Sequence, residues 1–101
     1  MDPAIPDIRI SDVVISTAGR DRDEVFYVLD VDDQYLMLVN GKDRTLDRPK
    51  RKKRKHVAMV LRSETRVAQK ILKGDKVLNS ELRRDLAFIS RNMQSNGLGG
   101  L

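Results

Sequence analysis

The sequence predicts a mostly β domain: a small five-stranded barrel followed by two short α-helices. Three observations carry this. Short β-branched and aliphatic runs recur between residues 12 and 61, each bounded by turn-forming residues. After Ser63 the apolar spacing changes from that of strands to that of helices. The chain has 101 residues, 40% apolar and 35% charged, which suits one domain with one modest core.

Residues 1–8, with Pro3, Pro6, Asp2 and Asp7, read as a flexible lead-in, and the barrel is expected over 9–62. The first strand is "DVVIS" (12–16). The second, "EVFYVLDV" (24–31), is apolar on both faces, so a further layer must cover the side that the barrel does not. Asp32 and Asp33 suit a tight turn into the third strand, "QYLMLV" (34–39). Asn40-Gly41 then predicts a hairpin with both residues at positive φ. "DRTLD" (43–47) would be the returning fourth strand and "KHVAMVL" (55–61) the fifth. Strands this short, joined by tight turns, fit a small barrel better than a sandwich.

A helical extension is expected over 63–93. "SETRVAQKILKG" has Ser63 as N-cap, an acid in the first turn and Gly74 at the left-handed C-cap position. Val67 and Ile71 share a face, with Ala68 and Leu72 beside them. The second helix starts near Asn79 and carries Leu82, Leu86 and Ile89 on one stripe, with Arg83, Arg84, Asp85 and Arg91 on its other sides. That stripe needs cover, and the barrel is the expected partner. The glycine-rich stretch 94–101 reads as a disordered tail.

The chemistry-bearing residues exclude more than they suggest. There is no cysteine, so no disulfide, thiolate metal site or cysteine nucleophile. His56 is the one histidine and sits among cations. Asp30, Asp32 and Asp33 lack the spacing of a calcium loop, and "GLGG" (97–100) has neither strand before it nor helix after it. No nucleophile and base can be paired, so no enzyme, cofactor, metal or small-molecule substrate is expected. An acidic start without an apolar run excludes a secretory signal, and nothing approaches the ~20 apolar residues of a membrane span. The expectation is a soluble cytoplasmic protein.

Charge is the strongest functional signal. Residues 1–47 hold 11 acids and 5 bases, a net of −6, whereas residues 48–101 hold 4 acids and 15 bases, a net of +11. Such a dipole favours oriented approach to a polyanion. Seven of the eight residues from Arg48 to Lys55 are basic: Arg48, Lys50, Arg51, Lys52, Lys53, Arg54 and Lys55. The run lies between foldable segments, which disfavours a basic tail or an import label. It reads as a cationic edge leading from the fourth strand into the fifth, where Pro49 marks an edge or break. In the loop after the first strand, Gly19 permits a turn and Arg20 and Arg22 are presented at the tip, where guanidinium groups can pair with phosphate.

The pairing of "AGRDRD" (18–23) with "RPKRKKRKHV" (48–57) resembles the KOW-motif RNA-binding proteins, and among them the L-fourteen-e ribosomal proteins and their small bacterial relatives. The likeness covers residues 12–60, and the helical extension is similar to that of the bacterial relatives. It implies an SH3-like barrel that binds structured RNA, usually ribosomal. Charge alone would serve DNA as well. One position departs from the pattern: Asp23 stands where a second glycine is usual. Contact with roughly five to seven phosphates gives a slope of log K against log salt of about −4 to −6. An alternative is a protein-interaction module of a transcription or translation complex, using an acidic face with Asp30, Asp32, Asp33 and Asp43.

Overall fold

The computed structural model describes residues 7–93. The expected lead-in up to residue 6 and the expected tail 94–101 lie outside them. Five strands form one antiparallel sheet: β1 (Asp12–Ser16), β2 (Val25–Val31), β3 (Tyr35–Val39), β4 (Lys50–Lys53) and β5 (Val57–Arg62). Two helices follow, α1 (Arg66–Lys73) and α2 (Asn79–Asn92). The spatial order is β4-β3-β2-β1-β5. No ladder joins β4 to β5, so the sheet is open rather than closed into the expected barrel.

It is nonetheless strongly curled. A single 3₁₀ turn, Arg54–His56, carries the chain from one edge strand to the other. Three residues of 3₁₀ helix rise only about 6 Å, whereas the edges of a flat five-stranded sheet lie roughly 19 Å apart. Curling brings the edges within reach, and irregular register supports it. The β1/β5 ladder shifts between Val13 and Val14, and the β2/β3 ladder between Val28 and Asp30.

Because β2 is apolar on both faces, two cores form. On the enclosed side Ile8, Val14, Phe26, Val28, Leu36, Leu38 and Val57 pack together without any helix. Ile8, which the sequence placed in the lead-in, is buried there. On the other side Val13, Tyr27 and Val39 meet Val67, Ala68 and Ile71 of α1 and Leu82, Leu86 and Ile89 of α2. The expected second layer is therefore the helical extension. Leu72 departs from expectation, being 61% exposed instead of joining the apolar face.

Tyr27 secures this layer. Its hydroxyl donates to Asp85 Oδ2 at 2.7 Å and lies 3.0 Å from Ser63 Oγ and 3.2 Å from Thr65 Oγ1. Burial pushes the phenol up to about 12, with the Asp85 carboxylate adding to the rise against the two hydroxyls. Thr65, not Ser63, is the N-cap of α1, accepting from the Ala68 amide at 3.2 Å; Ser63 is buried beside Tyr27. The acid expected in the first turn falls before the helix, which has none there. Gly74 is left-handed as expected, with φ 74°. α2 begins at Asn79, and Glu81 reaches back to accept from the Leu78 amide at 3.0 Å.

The β3–β4 connection corrects two expectations. "DRTLD" is not a strand; the fourth strand is the basic run itself. Asn40 is not at positive φ, and only Gly41 is, at 79°. The Asn40 side chain organises the loop, accepting from the Lys42 and Arg44 amides and donating to Asp43. Leu46 is drawn to α2, its amide donating to Asn79 Oδ1 at 3.0 Å. The hairpin thus closes through a long loop over 40–49 instead of a tight turn.

Candidate nucleic-acid interface

The basic run became a strand because an edge can carry charge on both faces. Lys50 pairs with Leu38, Arg51 with Met37, Lys52 with Leu36 and Lys53 with Tyr35. Strand alternation therefore divides the run in two. Lys50 and Lys52 share the side of Leu36 and Leu38, over the enclosed core. Arg51 and Lys53 share the opposite side with Tyr35 and Met37. The expected single grip is two sets of cations facing apart.

The first set is tied down by an acid. Lys52 is buried, and its Nζ donates to Asp21 Oδ1 at 2.6 Å and to the Ala18 carbonyl at 2.7 Å. Ser16 Oγ donates to the same Asp21 oxygen at 2.7 Å. Lys50 Nζ lies 3.3 Å from Asp21 Oδ2, an ion pair without hydrogen-bond alignment. Burial alone would push the Asp21 carboxyl up. Lys52, Ser16 and Lys50 outweigh it and hold the group down at about 2. Of these two lysines, both expected to neutralise phosphates, Lys52 is buried against Asp21, whereas Lys50 is partly exposed at the longer 3.3 Å and leaves the cluster with one net positive charge.

Asp21 belongs to the β1–β2 loop, which the tie presses against β4. Gly19 takes φ 85°, and a Cβ there would lie 3.6 Å from Lys52 Nζ. Asp23 takes φ 72°, a left-handed conformation that a glycine would adopt without strain. Arg20 and Arg22, on either side of Asp21 in sequence, are exposed.

On the opposite side Arg51 stacks on Tyr35, with Cζ 3.7 Å from the ring centroid. Arg54 is engaged structurally: Nε donates to the Asp32 carbonyl at 2.8 Å and Nη1 to the Ile8 carbonyl at 3.1 Å. Asp32 itself is held low by the Tyr35 and Gln34 amides it accepts from. Arg20, Arg22, Arg48, Lys53 and Lys55 are exposed and make no side-chain hydrogen bond or ion pair among the described residues. The proposed acidic face is dispersed. Asp30, Asp32 and Asp33 lie at one end of the β2–β3 hairpin, and Asp43 lies beyond the far end of β3, roughly 17 Å of strand away.

Among the described residues no cluster of histidine and carboxylate groups could hold a metal ion, and no helix is long and apolar enough to cross a membrane. Sequence reasoning missed Asp21 and Tyr35. An acid between two arginines repeats the local charge texture, and nothing along the chain says that it faces residues 50 and 52. The chain matches no protein-family model and no curated protein.

Proposed function

We propose that this chain is an RNA-binding module of the KOW type, ribosome-associated in the cytoplasm, which grips folded ribosomal RNA of the large subunit. In this reading the curled sheet is an SH3-like barrel left open along one side. The supporting observation is the set of exposed cations of the β1–β2 loop and of β4 and its flanks, Arg20, Arg22, Arg48, Lys53 and Lys55, none in a hydrogen bond or ion pair with an acid among the described residues. Exposed cations without an ion-pair partner are the footprint of a phosphate ligand, although Lys53 lies on the face of β4 opposite the one to which the β1–β2 loop is tied. Arg51 adds a flat guanidinium, backed by Tyr35, on which a base can stack. The reading is of binding without catalysis.

Co-sedimentation with purified ribosomal subunits across a salt series tests this, using the wild type and a variant with Arg48, Lys53 and Lys55 changed to glutamine. The wild type should bind the large subunit, and the variant should lose about 2–3 from the slope of log K against log salt. Absence of large-subunit binding even at low salt would overturn the reading. Binding with an unchanged slope in the variant would remove these residues from the interface.

A further inference from the structure

We infer that Asp21 is the positioning residue that sets this interface's preference for folded RNA over single strands; the inference rests on the RNA-binding reading above. One buried carboxylate collects Ser16 from the end of β1, and Lys50 and Lys52 from β4. It thereby fastens the loop 17–24 to the strand that carries the basic run. Backbone hydrogen bonds close the same loop: Asp23 N to Ser16 O at 2.8 Å, Glu24 N to Asp21 O at 2.9 Å and Ser16 N to Glu24 O at 2.9 Å.

Two consequences follow from that geometry. Arg20 and Arg22 are held at a fixed spacing from Arg48, Lys53 and Lys55. Lys52 is withdrawn from the pool of cations that would attract any polyanion. A fixed array matches phosphates that are themselves fixed, as in a folded RNA, whereas a flexible single strand adapts to fixed and mobile cations alike. A loop in the fastened arrangement only about a tenth of the time weakens binding to the fixed ligand about tenfold. Asp21 thus acts without touching RNA, through its hold on the loop.

The test compares an RNA hairpin with an oligouridylate of equal length, both titrated over a salt series. Asp21→Asn leaves Lys52 charged and without its counter-ion, so Asp21→Asn combined with Lys52→Met is made beside it to remove the tie and the unpaired charge together. Both variants should bind the hairpin about tenfold more weakly, with faster amide exchange at residues 18–23. Oligouridylate binding should hold or tighten, and in Asp21→Asn its salt slope should steepen by about 0.7, for the one charge that Asp21 cancels. Lys50→Gln, which keeps the Lys52–Asp21 contact, should keep the preference for the hairpin over oligouridylate, and Lys53→Gln should lower the oligouridylate slope by about 0.7.

Equal weakening toward both RNAs, or no change in either, would overturn the inference while leaving the RNA-binding reading standing. So would a loss of the hairpin preference in Lys50→Gln, in which the Lys52–Asp21 contact is kept and which stays measurable if the Asp21 variants do not fold. A wild type that binds neither RNA would overturn the reading itself, and the inference with it.

Discussion

Gly41 is constrained twice. Its φ of 79° lies where an L side chain is strained, and a Cβ built there would collide with the Asn79 carbonyl and press on Arg83 Cγ at 3.0 Å. The Gly41 carbonyl accepts from Arg83 Nη1 at 2.6 Å, so the glycine lets the β3–β4 loop and the start of α2 touch. Gly41→Ala should therefore destabilise the fold by at least about 2 kcal/mol, more than the left-handed strain alone. Urea unfolding measures it, and a loss below about 0.5 kcal/mol would mean that the close approach is dispensable. Gly41 was legible as a turn glycine from its place after "YLMLVN", but its contact with α2 was not. Asp21 is a similar case: its charge was plain in the sequence, and its burial was not.

At the scale of elements, the helices complete the sheet rather than decorate it. Val13, Tyr27 and Val39 would face water on one side if α1 and α2 were absent. Tyr27 would also lose its bond to Asp85. A chain ending at Arg62 should thus show no cooperative unfolding transition, followed by circular dichroism, whereas one ending at Met93 should melt cooperatively. A cooperative melt of the shorter chain would show that the enclosed core is sufficient. The two-faced apolar character of "EVFYVLDV" announced the need for this layer, and the stripe Leu82, Leu86 and Ile89 announced its source. The fourth strand was not announced. "KRKK" has no strand texture; it pairs with the edge that β3 offers, and Asp21 neutralises the buried Lys52 over the core.

For the whole molecule, the acid limb of stability follows from the same ion cluster. Asp21 is lowered from the ordinary 3.8 to about 2, so its stabilisation is complete above about pH 4 and is lost as pH falls toward 2. The size is on the order of 2 kcal/mol. Asp32, Asp43 and Asp47, which are exposed, and the half-buried Glu81 are also held low by hydrogen bonds and act in the same direction with small weight. Glu24 is raised, by burial and by Asp43 and Asp21, and opposes them. Chemical denaturation at pH 4 and pH 2.5 should show a fall in stability that shrinks in Asp21→Asn. An equal fall in both proteins would place the acid sensitivity elsewhere.

By itself the sequence determined the β-then-α order, the positions of β1, β2, β3 and β5, the left-handed ends at Gly41 and Gly74, and the separation of an acidic from a basic half. Those features are local: periodicity, turn chemistry and composition act over a few neighbouring residues. Only the tertiary structure decided that the sheet curls without closing, that the basic run is itself a strand, and which of its cations remain free. Those outcomes depend on pairings such as Asp21 with Lys52, 31 residues apart, and on Asn79 with Leu46, 33 residues apart. A charge along the chain is the same whether it meets water or a buried counter-ion, and only folding separates the two.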